Sequence, residues 1–301
     1  MDVEYDGKTA FAASYLVVSE DGGRGAFVDM GTEAAVPGLL AAARELAGLL
    51  PEQIELLIPT HIHLDHAAGC GELARLCPKA RILCHPRAAR HLADPTKLEA
   101  GVKAVYGEAF YQRLYGALKP IDAARIFSPM DEEWVELGGR KLQILHTPGH
   151  AKHHICIFDS VTRSVFSGDS FGLAYLSLRE TGAWIFPSTS PSDFNPADLS
   201  TTVDRIAALQ PERVLLTHFG AVTRVAEARR ELQRWIAIHA EILAQMQGQP
   251  DPALSALTLL KPIFEKAVGG DGDHLKLLDL DIRLNAQGIA VAATPRTPTS
   301  N

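Results

Sequence analysis

Residues 59–66, Pro-Thr-His-Ile-His-Leu-Asp-His, constrain the fold and chemistry of this chain more than any other stretch. An apolar run at 54–58 comes directly before them and predicts a buried strand. Within six residues fall four side chains that can bind a metal, His61, His63, Asp65 and His66. A helix would turn His63 away from His61 and Asp65, so the four can converge only in a turn at the strand end. The sequence therefore predicts a metal-binding loop.

The composition limits the class of partner. Of 301 residues, 47% are hydrophobic and 22% are charged, which is typical of an ordinary globular protein. The formal net charge of −7 argues against a nucleic-acid surface, because phosphate contacts need clustered Lys and Arg. We expect a small-molecule substrate instead.

Signals for a membrane or an oxidising compartment are absent from the sequence pattern. No apolar run approaches the length of a membrane span, and the first six residues are acidic where a signal peptide would be basic. We therefore expect a cytoplasmic protein without a membrane partner. The cysteines show no CxxC pair and no metal-ligand spacing, so we expect reduced, mostly buried thiols at Cys70, Cys77, Cys84 and Cys156.

Hydrophobic periodicity predicts both strands and helices, with no internal repeat. Strands are expected at 12–18, 25–28, 54–58, 81–84, 133–137, 141–145, 154–158, 161–166 and 213–217. Helices are expected at 32–50, 67–76, 196–209, 223–246, from 252 to the glycines at 269–270, and at 273–285, with a frayed tail at 295–301.

Two segments are harder to interpret. The stretch 85–120 is largely helical and carries aromatic residues at spacings of four, one and four, namely Tyr106, Phe110, Tyr111 and Tyr115. We favour aromatic packing onto the core there, with an inserted lid over a substrate pocket as the alternative. The stretch 171–195 has little periodicity, and a loop of that length is usually functional or poorly ordered.

Three isolated residues farther along complete a constellation. His150 follows the strand predicted at 141–145, Asp169 follows an apolar strand, and His218 follows the strand at 213–217. Each stands just beyond the end of an apolar strand, so one sheet sandwich could bring all of them to the same edge. Asp29 also ends a strand and has two equally weighted interpretations, a turn residue that starts a helix or a partner of a metal-binding histidine.

In this order, the HxHxDH motif, the TPGH histidine, the GD aspartate and the strand-terminal histidine resemble the metallo-β-lactamase superfamily, in its glyoxalase II-like and lactonase-like branch. The resemblance extends over roughly residues 11–245. It implies an α/β protein, an αββα four-layer sandwich with two mixed sheets face to face and helices outside. It also implies the ligands, which by position are His61, His63 and His150 for one ion, Asp65, His66 and His218 for a second, and Asp169 as a bridge between both.

The resemblance further implies two divalent ions that share a hydroxide nucleophile. Imidazole and carboxylate ligands without a cysteine suit zinc, and also iron or manganese. Asp65 is then the expected proton carrier. Tyr175 either donates a hydrogen bond to the developing oxyanion or packs as an ordinary loop tyrosine. One of His153 and His154 faces the metal edge if a strand begins there; otherwise either caps that strand.

Fold alone does not decide the reaction, since the superfamily contains thioesterases, lactonases, β-lactamases, nucleases and phosphodiesterases. The acidic balance disfavours a nuclease, and the acid pair Asp65 and Asp169 without a ligand cysteine disfavours a true β-lactamase. We expect a dinuclear metal-dependent hydrolase of a small ester, thioester or lactone. The alternatives are a mononuclear iron sulfur dioxygenase acting on a persulfide and a non-catalytic metal-binding protein.

The expected domain organisation is a catalytic domain at 1–245 and a helical extension at 246–301. The extension carries apolar stripes, so it packs either on the catalytic domain or on a second copy in a homodimer.

Overall fold

The computed structural model describes residues 1–189 and 193–294, which divide into two compact units. The first unit consists of Met1–His146, His153–Gly168 and Pro211–Thr223. The second consists of Thr147–Lys152, Asp169–Gln210 and Arg224–Asn301. The tail predicted to fray at 295–301 lies outside the described residues.

All strands of the described residues belong to the first unit. They are β1 (Tyr15–Val18), β2 (Gly25–Val28), β3 (Ile54–Ile58), β4 (Arg81–Leu83), β5 (Ile126–Phe127), β6 (Trp134–Leu137), β7 (Arg140–His146), β8 (Ile155–Asp159), β9 (Ser164–Gly168), β10 (Arg213–Leu216) and β11 (Gly220–Val222).

The helices of the first unit precede those of the second along the chain. The first unit contains α1 (Val36–Ala47), α2 (Leu64–Ala67), α3 (Cys70–Leu76), α4 (Pro86–Ala93), α5 (Thr96–Tyr106) and α6 (Glu108–Leu114). The second unit contains α7 (Pro196–Ala208), α8 (Val225–Gln245), α9 (Pro252–Ala267) and α10 (Gly272–Ala293).

The strands form two mixed sheets. One has the order β1-β2-β3-β4-β5, with β1 antiparallel to β2 and the remaining neighbours parallel. The other has the order β11-β10-β9-β8-β7-β6, in which β10 and β9 are parallel and the remaining neighbours antiparallel. Two mixed sheets with helices confirm the expected α/β class.

A shared apolar core holds the two sheets face to face. Val17, Val28 and Ile58 from the first sheet cluster with Ile144 and Ile157 from the second, and all five are nearly inaccessible to solvent. These positions alternate along their strands with residues of the opposite face, as expected where each face contacts a different layer. Burial of this apolar surface is the main force that joins the sheets.

The outer face of the first sheet is covered by helices. Phe27, Ile54 and Ile82 on the strands pack with Leu39 of α1 and Leu73 of α3 in a second apolar cluster. The helix predicted at 32–50 is shorter in the structure, because a 3-10 turn at Glu33–Ala35 precedes α1 and Gly48 ends it in a left-handed conformation.

The segment predicted as a helical insertion forms α4, α5 and α6. Tyr111 and Tyr115 are buried and pack against Leu64 and Ala68, beside the histidine-rich loop. This agrees with core packing for these two aromatic residues. The side chain of Tyr106 lies outside the described part of the structure, and a lid role for 85–120 stays a prediction.

In the second unit, α8 packs on α7 and α9, and α9 packs along α10. Trp235 of α8 stacks on Phe264 of α9 with ring centroids 4.4 Å apart. The helix predicted at 273–285 was too short, since α10 continues to Ala293. The division predicted at residue 245 stays a prediction; in the structure α8, α9 and α10 belong to one unit.

No helix among the described residues has the length and apolar character needed to cross a membrane.

A buried acid organises the turn between β8 and β9. Asp159 is inaccessible to solvent, and its two carboxylate oxygens accept hydrogen bonds from Arg140 Nε (3.1 Å) and Nη2 (2.5 Å). The same carboxylate accepts from the backbone N–H of Val161 (3.2 Å) and from the hydroxyl of Thr162. The turn therefore extends through 163, which explains why β9 starts at Ser164 and not at the predicted residue 161.

These partners change the pKa of Asp159. Burial raises this pKa, but the Arg140 guanidinium and the Thr162 hydroxyl outweigh burial and hold it below its usual range. A depressed pKa in the folded state means that the ion pair stabilises the protein above the ordinary aspartate pKa of about 4. The stabilisation is lost as the pH falls through the lowered pKa.

Asp159→Asn is expected to lower the free energy of unfolding by roughly 3–5 kcal/mol at neutral pH, because the Arg140 charge loses its partner. Urea unfolding of wild type and variant at pH 7 and pH 3 measures the difference, which should shrink at pH 3. Asp279→Asn, which breaks the exposed pair with Arg283 (2.8 Å), is the control and should cost under about 0.5 kcal/mol. An equal cost for both variants would contradict this account.

Candidate metal centre

The sheet register collects five of the candidate ligands at one edge of the first unit, namely His61, His63, Asp65, His66 and His218. β2 and β3 run parallel, with Val28 opposite Ile58, so the residues that follow both strands emerge side by side. In the second sheet, β10 and β9 are parallel and end together, with Leu216 opposite Gly168. The backbone N–H of Ile155 donates to the carbonyl of Thr60 (2.8 Å), which joins the two sheets at this edge.

Gly168 allows this edge to close. Its φ is +48°, and a Cβ there would lie 2.4 Å from Thr60 Oγ1 and 2.7 Å from His154 Nε2. Any side chain at 168 would push the histidine-rich loop away from the end of β9.

Residues 59–63 form a non-helical turn, as predicted for His61 and His63. The turn predicted over 59–66 was too long, because α2 begins at Leu64 and contains Asp65 and His66. His61 Nε2 and His63 Nδ1 lie 2.8 Å apart, so two ring nitrogens of the loop converge on one point. The other nitrogen of His61, Nδ1, lies 3.1 Å from Thr60 Oγ1. This geometry fits a shared ion, since each ring has one nitrogen directed at the common point.

A second convergence is formed by Asp65, His66 and His218. Asp65 Oδ2 lies 3.2 Å from His218 Nε2 and 3.7 Å from His66 Nε2. The ligand atoms of the three residues all lie within 4.8 Å of one another, as required to hold a metal ion. The histidine side chains are 0% and 4% exposed, whereas Asp65 is 27% exposed. One face of this group is therefore reachable from solvent through Asp65.

Asp29 fixes the loop and the candidate ligand His66. The Asp29 carboxylate accepts from His66 Nδ1 (2.8 Å), from the backbone N–H and hydroxyl of Thr60 (2.8 and 3.1 Å), and from Thr217 Oγ1 (2.5 Å). Of the two interpretations of Asp29, the structure therefore shows the partner of a histidine. Asp29 also has a φ of +50°, a conformation that aspartate tolerates better than most residues.

In His66 and His218, the contact made by one ring nitrogen decides which nitrogen can bind a metal. His66 Nδ1 donates to a carboxylate, and His218 Nδ1 donates to the carbonyl of Phe11 (2.8 Å). With the proton on Nδ1, the lone pair of the ring lies on Nε2, which is then the atom able to bind a metal. Both histidines therefore offer Nε2 to a metal, and this set of donor atoms fits a divalent ion.

The two candidate ligands in the second unit lie beside each other. His150 Nε2 and Asp169 Oδ2 are 3.6 Å apart, and His150 Nδ1 donates to the carbonyl of Ser188 (2.9 Å). Gly149, with φ +126°, lets this segment approach α7, where a Cβ would lie 2.4 Å from the backbone of Leu199. His150 thus offers Nε2 in the same way as His66 and His218.

His153 and His154 precede β8 and both pack on His61. The His154 ring is buried and stacks on His61 at 4.9 Å, with 26° between the planes. His153 lies nearly parallel to the same ring at 6.1 Å and edge-on to His63 at 5.6 Å. Both histidines therefore lie beside the candidate ligands, and the His154 ring packs on the ring of His61.

Tyr175 is 2% exposed, and its hydroxyl donates to Asp281 Oδ1 (3.3 Å) within the second unit. The oxyanion role stays a prediction.

His85 caps α4 by accepting from the backbone N–H of Arg87 (3.1 Å), and its ring lies 4.5 Å from His146. Burial lowers the pKa of His85 to about 4, and the neighbouring His146 and His153 make smaller contributions in the same direction.

Some residues that shape the site carried no clear signal in the sequence. Thr60 and Thr217 each stand directly before a candidate ligand, and that repeated Thr-His pair is the one signal that points to them. The carbonyls of Phe11 and Ser188 could not be found from sequence, because a backbone acceptor has no residue-specific pattern.

Two mixed sheets with histidines and aspartates at one edge define an α/β protein with a candidate metal site. A family model described as the metallo-beta-lactamase superfamily matches residues 8–218, more than half of the chain. The chain belongs to the metallo-beta-lactamase superfamily.

Similar proteins agree with this assignment. The metallo-beta-lactamase fold-containing protein ST1585 of Sulfurisphaera tokodaii is 28% identical over 177 residues, 57% of this chain and 63% of the relative. The crystal structure described as ST1585 from Sulfolobus tokodaii matches with a TM-score of 0.66 and 22% identity over 96% of this chain and 94% of that one. That likeness shows the fold, and the expected metallo-β-lactamase fold is confirmed.

Two further relatives have names that state an activity. Acyl-coenzyme A thioesterase MBLAC2 of Bos taurus is 28% identical over 132 residues, 42% of this chain and 44% of the relative. Hydroxyacylglutathione hydrolase of Acidiphilium cryptum is 27% identical over 206 residues, 68% of this chain and 63% of the relative. The matches span less than two thirds of each of these relatives.

Asp29→Asn is expected to weaken metal binding by about 10- to 100-fold, because an amide cannot accept all four hydrogen bonds that orient His66, Thr60 and Thr217. Competition for zinc against a chromophoric chelator measures the affinity. Asp159→Asn removes another buried carboxylate charge, at the end of β8 opposite to Ile155, and is the matched control. An unchanged zinc affinity in Asp29→Asn would show that Asp29 does not orient a ligand.

Proposed function

We propose that this protein is a dinuclear metal-dependent hydrolase of acyl thioesters, with zinc as the favoured metal. His61, His63 and His150 would hold one ion, and Asp65, His66 and His218 would hold the other. Asp169 would contribute a ligand to both.

The convergence of Asp65, His66 and His218 carries the proposal. These three residues bring two imidazole nitrogens and one carboxylate oxygen together, with both imidazoles oriented by fixed acceptors. A mononuclear site built on His61 and His63 has no need of such a group. The arrangement therefore supports two ions over the single iron of a sulfur dioxygenase.

The geometry of His150 and Asp169 supports their assignment as the remaining ligands. They stand 3.6 Å apart, and His150 has its Nδ1 bound to a carbonyl. Each follows a strand whose end lies at the ligand-bearing edge of its sheet, β7 for His150 and β9 for Asp169.

The substrate class is inferred from chemistry and from relatives. An acyl-coenzyme A thioesterase and a hydroxyacylglutathione hydrolase are both named for acyl groups on thiol carriers. When bound, divalent ions would supply an activated water nucleophile, polarisation of the acyl carbonyl and stabilisation of the leaving thiolate.

Among the residues of this chain, Asp65 is placed to move the proton. It lies 3.2 Å from His218 Nε2, and its side chain is 27% exposed while the histidines around it are buried. A carboxylate that contacts both the site and solvent can take a proton from the nucleophile and release it to water. His66 and His218 have their Nδ1 atoms committed to Asp29 and Phe11, so neither can carry this proton.

Hydrolysis of matched substrates tests the proposed function. A thioester of coenzyme A, a thioester of glutathione, an oxoester and a lactone with acyl chains of equal length would be assayed with metal-saturated protein. Release of free thiol is followed for the thioesters and release of acid for the others. Faster turnover of a thioester than of the oxoester and the lactone supports the proposal, and no hydrolysis of either thioester refutes it.

Asp65→Asn is expected to lower kcat by about 10²- to 10⁴-fold with KM changed by less than about threefold, because the amide cannot accept a proton. Steady-state kinetics on the preferred substrate measure both constants, and elemental analysis of the same sample establishes that two ions remain bound. An unchanged kcat with both ions present would remove Asp65 from the mechanism.

A further inference from the structure

The orientation of His150 is set by a single peptide unit. Its Nδ1 lies 2.9 Å from the carbonyl oxygen of Ser188. A carbonyl can only accept, so Nδ1 carries the proton and Nε2 is the atom left to bind a metal. The His150 ring is 2% exposed, which leaves it little freedom to rotate away from that carbonyl.

The same peptide unit is held from its other side by Asn285, on α10. The backbone N–H of Thr189 donates to Asn285 Oδ1 (2.9 Å), and Asn285 Nδ2 donates to the carbonyl of Pro187 (3.1 Å). The carbonyl of Ser188 and the N–H of Thr189 belong to one planar peptide and point in opposite directions. Asn285 therefore fixes the plane whose other end orients His150.

Two further contacts lock this arrangement. The Thr189 hydroxyl lies within hydrogen-bond distance of the Asn285 carbonyl (3.0 Å) and of Asn285 Oδ1 (3.1 Å), and both residues are 2% exposed. Gly288, three residues later on α10, lies so close that a Cβ would be 2.5 Å from Thr189 Oγ1 and 2.8 Å from its carbonyl oxygen. The helix thus contacts the loop through an amide and a bare backbone.

We propose that Asn285 is a positioning residue for His150, acting through the peptide between Ser188 and Thr189. The inference rests on the proposed function only for the assignment of His150 as a metal ligand. Hydrogen bonds in series polarise one another, so a Thr189 N–H that donates to Asn285 makes the Ser188 carbonyl a stronger acceptor for His150. The C-terminal helix α10 is then part of the metal-binding apparatus and more than a packing element.

Cobalt binding to the full-length chain tests this role without reference to activity. Cobalt(II) is titrated into metal-free protein, its visible absorption bands are recorded, and its affinity is measured by competition with a chelator. The ion bound through His150 is identified as the one lost in His150→Ala. In Asn285→Ala that ion should bind about 10- to 100-fold more weakly with shifted bands, because the His150 ring is no longer fixed.

Matched variants separate positioning from stability. Gly288→Ala displaces Thr189 from a different direction. It should weaken the binding of the same ion and shift its absorption bands, which keeps the test decisive if Asn285→Ala does not fold. Ile282→Ala removes a buried apolar side chain from the same helix; it should lower thermal stability and leave the cobalt bands unchanged.

The role is refuted if the His150-dependent ion in both Asn285→Ala and Gly288→Ala keeps its bands and an affinity within about twofold of wild type. It is also refuted if Ile282→Ala disturbs that ion equally, since helix stability would then explain the effect. Failure of the proposed function looks different. In that case the wild type binds cobalt through His150 and responds to Asn285→Ala, yet hydrolyses no thioester.

Discussion

The buried carboxylate of Asp29 is the interaction on which the arrangement of the ligand-bearing edge depends. It accepts hydrogen bonds from Thr60, from His66 and from Thr217, which belong to the loop after β3, to α2 and to the segment after β10. Asp29 is 1% exposed, so its charge is stable there only while these donors remain in place. One acid thus couples the ends of two sheets to the orientation of a ligand histidine.

This arrangement fixes the orientation of the candidate ligands without a metal. His66, His218 and His150 each have Nδ1 bound to a fixed acceptor, which selects the same ring atom for the metal in all three. Such outer contacts reduce the side-chain entropy that metal binding must overcome. The acceptors differ in kind, since one is a carboxylate and two are backbone carbonyls whose positions depend on neighbouring segments.

Much of the fold and of the site follows from local sequence patterns. Apolar runs of four or five residues place β2, β3 and β10 correctly, because a strand between two packed layers must be apolar. The sequence predicts that the side chains at 61–66 converge, because a dense cluster of histidine and aspartate at a strand end has few structural explanations; their role as ligands stays a prediction. Asp29 remained open between two roles, since both need a small acid in a turn.

The rest could not be predicted because it depends on contacts between distant segments. β5 and β11 have two and three residues, too few to show a periodicity. The extension of α10 beyond Asn285 was missed because asparagine and glycine are poor helix formers, whereas here Asn285 and Gly288 meet the loop at 187–189. No local pattern connects an asparagine on the last helix to a histidine 135 residues earlier.

The central claim is that this edge holds two metal ions. Elemental analysis of protein purified without added metal, beside a His218→Ala variant, tests it most directly. We expect about two ions per chain in the wild type and about one in the variant, because His218 is proposed to hold one of the two ions. One tightly held iron per chain, unchanged by His218→Ala, would contradict two-ion binding and direct the search to oxygen-dependent sulfur chemistry.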